Sequence, residues 1–117
     1  VAPMPVSLGD TLGRATPDRI AAMLKAVANE APVAELAGHY HDTSGQALDN
    51  VAVSLDMGLR AFDSAAGGLG GCPYAPGAKG NVATEAAHDH LTAQGYDTGL
   101  NMGVLTTAAD MARAMRG

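Results

Sequence analysis

The sequence contains few aromatic and few basic residues. It has no Trp, one Phe and three Tyr, so aromatic side chains make up only 3% of its 117 residues. A core must therefore be built from Ala, Val, Leu, Ile and Met, which favours a helix-rich or α/β fold over a β-sandwich. Seven basic residues stand against twelve acidic ones, and the net charge of -5 excludes a typical nucleic-acid-binding surface.

Cysteine and long apolar runs are also scarce. The single Cys72 cannot form an internal disulfide, which fits a reducing compartment. No window approaches the roughly 20 apolar residues of a membrane span, and residues 1–8 lack the pattern of a signal peptide. We therefore expect no membrane association. Because the sequence opens on Val1 rather than Met, we also expect the natural chain to start further upstream.

The apolar pattern alternates between short strands and helices. Strands are predicted at Pro5–Leu8, Pro32–Tyr40 and Leu59–Asp63, and helices at Pro17–Asn29, Gly45–Met57, Asn81–Gln94 and Asn101–Arg116. The last helix is expected to bury Val104, Leu105, Ala108, Met111, Ala112 and Met115. Thr16 followed by Pro17 is typical of a helix start. The alternation predicts parallel βα units.

An acidic residue followed by a hydroxyl residue recurs where each predicted strand ends. The pairs begin at Asp10, Asp42 and Asp63. Such residues can cap the next helix, and the carboxyl ends of parallel strands are also where active sites form. We expect capping alone for at least one of the three.

Two histidines flank Tyr40 near the end of the second predicted strand. Because side chains alternate along a strand, His39 and His41 should share one face and Tyr40 should point the other way. The pair is either a metal-binding pair or two ordinary polar residues. His88 and His90 have the same spacing on a predicted helix, where they diverge, and are interpreted as solvated surface residues.

A glycine-rich loop surrounds the only cysteine. Six of the 15 glycines lie between Gly67 and Gly80. The loop is neither a P-loop nor a dinucleotide-binding turn, because Lys79 follows Ala78 and the loop is long and contains prolines. It is either a surface loop or the site of a reactive Cys72. Asn81, which closes it, is either a helix cap or an oxygen ligand.

These segments resemble the 3-hydroxy-3-methylglutaryl-CoA lyase family. The loop from Gly68 to Glu85, GLGGCPYAPGAKGNVATE, is similar to that family's signature loop, and residues 39–47, HYHDTSGQA, are similar to its metal-binding strand. Residues 7–13, SLGDTLG, resemble the preceding strand and turn. Tyr40, Ser44 and Lys79 depart from the usual residues, and none of them is an expected ligand.

The resemblance implies a divalent-metal lyase on a TIM (β/α)8 barrel. Such enzymes cleave 3-hydroxy-3-methylglutaryl-CoA to acetyl-CoA and acetoacetate, the last step of leucine breakdown. By motif match, His39, His41 and Asn81 would bind Mg²⁺ or Mn²⁺, and Cys72 and His39 would take part in proton transfer. Asp10, Gly70 and Gly71 would line the active-site mouth. The partner would be an acyl-CoA substrate.

The chain is too short for the whole barrel, which needs roughly 250 residues. The family's Arg-Asp-Gly, which supplies the remaining ligand and an enolate-stabilising Arg, is absent from it. Residues 1–117 are therefore interpreted as a single partial domain, the C-terminal part of an α/β barrel with about three βα units, strands six to eight, and a terminal helix. We expect this chain to be inactive alone and the full-length protein to be a homodimer.

Two alternatives remain. The first is a sister lyase acting on another 3-hydroxy-3-alkylglutaryl-CoA, or a related aldol-type cleavage. The second is a non-catalytic half-barrel assembly module. Bacterial cytoplasm is the expected location, with the mitochondrial matrix as the alternative.

Overall fold

The computed structural model describes residues 5–70 and 79–116, which form alternating strands and helices. The strands are β1 (Val6–Asp10), β2 (Leu36–Tyr40) and β3 (Ala61–Asp63). The helices are α1 (Pro17–Ala28), α2 (Ala47–Asp56), α3 (Thr84–Ala93) and α4 (Met102–Arg116), and short 3-10 turns occupy Val33–Glu35 and Ala66–Gly68. No helix in these ranges is long and apolar enough to cross a membrane.

The three strands form one parallel sheet in the order β1-β2-β3, which confirms the predicted βα units. In the register, Gly9 lies opposite His39, and His39 lies opposite Asp63. The sheet is open, so β1 and β3 are its edge strands within the described residues.

The core lies between one face of the sheet and helices α1 and α2. Ile20 and Leu24 of α1 and Val51 of α2 pack with Leu36 and Tyr40 of β2. Helix α1 begins as predicted, with Pro17 as its first residue and the Thr16 hydroxyl accepting from the Arg19 N–H at 3.4 Å. This cap and the apolar spacing fix which face of α1 meets the sheet.

Tyr40 is buried on the helix side of the sheet, opposite the two histidines as expected. Ser54 donates its hydroxyl hydrogen to the Asn50 carbonyl at 2.7 Å, so Tyr40 must be the donor in its 2.6 Å contact with Ser54. Burial raises the pKa of Tyr40 above its ordinary value, and the Ser54 hydrogen bond only partly offsets this effect. The hydrogen bond between Tyr40 and Ser54 therefore links β2 to α2. Because side chains alternate along the strand, His39 and His41 lie on the opposite face of the sheet.

Several predicted boundaries are wrong by a few residues. β2 starts at Leu36 because Val33–Glu35 form a 3-10 turn after Pro32. β3 begins at Ala61 rather than at Leu59. Helix α3 starts at Thr84 rather than Asn81, because the residues before it pair with other segments as described below.

The predicted inward face of α4 is partly wrong: Ala112 is buried and Leu105 and Ala108 are half-buried, but the other three predicted residues are exposed. The buried residues are Ala109 and Ala112, whereas Val104, Met111 and Met115 are 68%, 59% and 75% exposed. The reason is close approach: a Cβ at Gly67 would lie 3.0 Å from the Ala109 carbonyl and 3.1 Å from the Ala112 Cβ. Only small residues fit there, so α4 docks through alanines.

Candidate metal-binding site

His39 and His41 lie side by side on the face of β2 that points away from the helices. Their ring centroids are 5.2 Å apart and their planes are inclined at 57°. His41 is buried and His39 is half-buried. The alternation of the strand thus brings the two imidazoles together, as the sequence predicted.

The neighbours of His41 determine which of its ring nitrogens can bind a ligand. Its Nδ1 lies 2.9 Å from the backbone carbonyl oxygen of Asp10. A carbonyl oxygen only accepts, so Nδ1 carries the hydrogen and Nε2 keeps its lone pair. Nε2 is therefore the atom through which neutral His41 can bind a metal.

The carboxylate of Asp10 is occupied by its own loop. It accepts hydrogen bonds from the backbone N–H groups of Gly13, Arg14 and Ala15 at 3.0 to 3.2 Å. These bonds fix the turn after β1 and with it the carbonyl that holds His41. Asp10 thus lies beside the candidate site, and it contacts His41 through its main chain.

His39 is held by a carboxylate. Its Nδ1 lies 2.9 Å from Oδ2 of Asp63, and the Ser7 hydroxyl donates to the same oxygen at 3.1 Å. The hydrogen bond from His39 is the largest cause of a pKa of Asp63 below its ordinary value; partial burial opposes this shift, and Ser7 supports it. Asp63 is therefore ionised at neutral pH and accepts the hydrogen of His39 Nδ1, and in the neutral imidazole this tautomer has its free lone pair on Nε2.

Asn81 reaches the same face through a short antiparallel bridge to His41. The bridge is flanked by hydrogen bonds from Val82 N to Tyr40 O at 3.0 Å and from Asp42 N to Gly80 O at 2.9 Å. His41 and Asn81 are thus a non-hydrogen-bonded pair, the type in which side chains approach most closely. The interpretation of Asn81 as a helix cap is wrong, because α3 begins at Thr84 with Ala83 at the cap position.

The Asn81 amide is oriented by the turn at the start of the glycine-rich loop. Its Nδ2 donates to the Leu69 carbonyl at 3.0 Å, which leaves Oδ1 for another partner. The contact between Asn81 and Leu69 requires glycine at positions 70 and 80. A Cβ at Gly70 would lie 2.6 Å from Asn81 Nδ2, and a Cβ at Gly80 would overlap the Gly70 carbonyl oxygen. Both glycines have positive φ, at 93° and 94°.

Glu85 and Arg113 secure this turn from behind. Both oxygens of the Glu85 carboxylate accept from the Gly67 N–H, at 3.0 and 3.1 Å, and Arg113 donates to Oε2 at 2.9 Å. Helices α3 and α4 therefore hold the segment that carries the Leu69 carbonyl.

The donor set fits a divalent cation as part of a larger coordination shell. Two imidazole nitrogens and one amide oxygen suit Mg²⁺ or Mn²⁺ when carboxylate or water oxygens complete the shell. Within residues 5–70 and 79–116, no three His, Cys, Asp or Glu side chains gather around a common point. The described residues whose free donor atoms could contribute to such a shell are His39, His41 and Asn81.

The structure places the remaining predicted residues as follows. Cys72 and Gly71 lie outside the described residues, and Gly70 lies beside Asn81. Asp42 accepts from the Ala47 N–H at 3.1 Å and so caps α2, the capping role expected of at least one of the three aspartates.

The interpretation of His88 as a solvated residue is wrong. Its Nδ1 lies 2.5 Å from the Thr98 hydroxyl, because the chain after α3 folds back along the helix. His88 also lines a cavity of about 450 Å³ with Phe62 and Tyr96, on the helix side of the sheet and apart from His39 and His41.

Sequence reasoning assigned no role to Ser7, Leu69 or Glu85, and for Asp63 it left open either capping of the next helix or a place at the active-site edge of the sheet. The position of Asp63 at a strand end was visible in the sequence. Its pairing with His39 depends on the register of β2 and β3, which the sequence pattern does not specify.

Comparison with known proteins identifies the family. The family model described as HMGL-like matches residues 1–112. The chain belongs to the HMGL-like family. Hydroxymethylglutaryl-CoA lyase of Pseudomonas mevalonii is 53% identical over 83% of this chain and 32% of its own length.

Solved structures give the same assignment of fold. The HMG-CoA lyase of Brucella melitensis matches 96% of this HMGL-like chain and 40% of that chain, with 59% identity and a TM-score of 0.92. A structure from Acinetobacter baumannii, described as an HMG-CoA lyase with coenzyme A and 3-methylmalate, matches 88% of this chain and 34% of that one, with 37% identity and a TM-score of 0.81. The three parallel strands with flanking helices are thus part of a TIM barrel, as expected. The HMGL-like chain spans about a third of the length of curated relatives such as the lyases of Pseudomonas mevalonii and Rattus norvegicus.

Proposed function

We propose that the full-length protein containing this chain is a carbon–carbon lyase that cleaves 3-hydroxy-3-methylglutaryl-CoA to acetyl-CoA and acetoacetate. The observation that carries the proposal is the pair of imidazoles with both Nδ1 atoms engaged, next to Asn81, on the scaffold of the HMGL-like family. The related proteins are named as lyases of this substrate, which supports the same reaction here.

His39, His41 and Asn81 would hold Mg²⁺ or Mn²⁺. The bound cation would supply Lewis-acid polarisation of the substrate's oxygens and a template for its orientation. The contribution of the chain is to fix these donors before substrate arrives. The buried His41 is held by a backbone carbonyl, and the Asn81 amide is held by the Leu69 carbonyl, so little reorganisation is needed on binding.

The reaction requires two proton movements. A base removes the proton of the 3-hydroxyl, the bond between C2 and C3 breaks, and the electron pair of that bond forms the enolate of acetyl-CoA, which then takes a proton at C2. We assign the acid–base roles to Cys72 and His39, on the family resemblance, and we place Gly70, Gly71 and Asp10 at the active-site mouth. Within this assignment, Asp10 contacts a proposed metal ligand directly, through its carbonyl to His41.

The assembly and location follow from the same resemblance. We propose a homodimer for the full-length protein and a reducing compartment, the bacterial cytoplasm or the mitochondrial matrix. The matches include a bacterial relative and eukaryotic relatives named as mitochondrial and as cytoplasmic, which is compatible with either proposed compartment.

The test is metal-dependent release of acetoacetate from 3-hydroxy-3-methylglutaryl-CoA. The full-length protein should turn the substrate over with Mg²⁺ or Mn²⁺, and the isolated 117-residue chain should not, because it lacks Arg-Asp-Gly. His41→Asn should abolish both turnover and Mn²⁺ binding. His90→Asn on α3 is the matched control and should change neither.

Three results would contradict the proposal. They are no acetoacetate from the full-length protein, Mn²⁺ binding that His41→Asn leaves intact, and robust turnover by the 117-residue chain. Faster cleavage of a longer 3-hydroxy-3-alkylglutaryl-CoA than of the methyl substrate would instead assign the protein to a sister lyase.

A further inference from the structure

The contact between Asp63 and His39 has a consequence for metal binding. Asp63 ends β3, and its register partner across the sheet is His39. The two side chains meet at 2.9 Å. The contact therefore bears on which ring nitrogen of His39 carries the hydrogen.

A neutral imidazole has two tautomers, and only one of them suits this site. With the hydrogen on Nδ1, Nε2 has a free lone pair; with the hydrogen on Nε2, that atom cannot bind a cation. The backbone carbonyl of Asp10 fixes the tautomer of neutral His41, and no substitution removes that acceptor. The corresponding acceptor for His39 is a side chain, so the choice can be changed by substitution.

We propose that Asp63 is a positioning residue that holds His39 in the tautomer with hydrogen on Nδ1 and so directs its Nε2 lone pair to the cation site shared with His41. The inference rests on the proposed function for the identity of that site. Carboxylates that accept from the second nitrogen of a ligating histidine fix its ring and raise its basicity in other metal sites.

Ser7 extends this arrangement across the whole sheet. Its hydroxyl donates to Oδ2 of Asp63 at 3.1 Å, the same oxygen that accepts from His39. The three side chains come from β1, β2 and β3, so the serine hydroxyl and the imidazole share one oxygen of the carboxylate. Removing the Ser7 hydroxyl should loosen the carboxylate without removing the acceptor.

Two substitutions of Asp63 and one control substitution test this role. Asp63→Asn keeps the shape, but its amide can donate to Nδ1 and so permits the opposite tautomer. Asp63→Ala removes the acceptor entirely. Asp56→Asn, at the exposed end of α2, makes the same change of charge away from the site and is the matched control.

The tautomer is read directly in the metal-free full-length protein. Nitrogen-15 NMR of labelled histidines at about pH 8, above the ordinary pKa of imidazole, distinguishes the two neutral tautomers. The signal of His39 is identified by its loss in His39→Gln. We expect the Nδ1–H form in the unsubstituted protein and in Asp56→Asn, and a mixture or the opposite form in Asp63→Asn and Asp63→Ala.

Metal affinity gives the second measurement. Titration of Mn²⁺ by calorimetry should show a Kd about 10- to 100-fold higher for Asp63→Asn and Asp63→Ala, the range for loss of such a supporting contact. Ser7→Ala should show a smaller rise, and Asp56→Asn none. Circular dichroism melting checks that each variant is folded.

Failure of the inference and failure of the proposed function give different results. If the unsubstituted protein binds Mn²⁺ and releases acetoacetate but Asp63→Ala keeps both the tautomer and the Kd, the inference is wrong and the function stands. If the unsubstituted protein binds no Mn²⁺, the proposed function is wrong and the role of Asp63 in a metal site falls with it.

Discussion

Replacing Gly80 with Ala should displace Asn81 and weaken metal binding. An added Cβ at Gly80 would lie 2.5 Å from the Gly68 carbonyl oxygen and would overlap that of Gly70. The two segments would have to separate by about 1 Å, a displacement that can lower a catalytic rate by about a hundredfold. Because Asn81 follows directly, we expect its amide to leave the position fixed by Leu69.

Gly95→Ala is the control for backbone strain. Gly95 has a φ of 89°, close to the 94° of Gly80, but a Cβ there would meet nothing within 4 Å. Both substitutions carry the cost of a side chain in the left-handed region, about 1–2 kcal/mol. Only Gly80→Ala adds the steric displacement beside the site.

Urea unfolding and Mn²⁺ titration of the full-length protein separate the two effects. Gly95→Ala should lower the free energy of unfolding by about 1–2 kcal/mol and leave the Kd for Mn²⁺ unchanged. Gly80→Ala should lower stability further and raise the Kd about 10- to 100-fold. Equal Kd values for both variants would refute the placement of Asn81 in the site.

Three further predictions concern other parts of the structure. Tyr40→Phe should cost about 0.5–1.5 kcal/mol of unfolding free energy, and Ser54→Ala more, because it leaves the buried Tyr40 hydroxyl without its acceptor; a double-mutant cycle in urea measures their coupling. The lowered pKa of Asp63 means that its contact with His39 stabilises the fold above the ordinary carboxyl pKa and that this contribution is lost as pH falls below about 4; the difference in urea midpoint between the protein and Asp63→Asn should shrink over that range. Light scattering of the full-length protein should give the mass of a dimer, and a monomer would contradict the proposed assembly.

Local patterns in the sequence predicted the parts of the fold that depend on neighbouring residues. Thr16 and Pro17 define a helix start without any distant contact, and the alternation along β2 places Tyr40 opposite His39 and His41. Both signals depend on residues within a few positions of one another. The parallel sheet followed from the same periodicities.

Long-range contacts account for what the sequence pattern missed. Helix α4 turns its alanines inward because Gly67, from a distant turn, leaves room for nothing larger. Asn81 stays extended because it bridges to His41, and His88 is covered because Thr98 folds back on it. Each of these contacts involves a residue distant along the chain, which the local periodicity of apolar residues does not identify.

The hydrogen bond between Ser7 and Asp63 joins residues 56 positions apart across all three strands. A slip of one residue in the pairing of β3 with β2 would turn Asp63 to the helix side and leave His39 without its acceptor. The orientation of the His39 imidazole therefore depends on the correct register between β2 and β3. In a folding experiment, recovery of full Mn²⁺ affinity would mark the moment at which the register of the strands is set, and a collapsed but misaligned chain would be distinguished by its weaker binding.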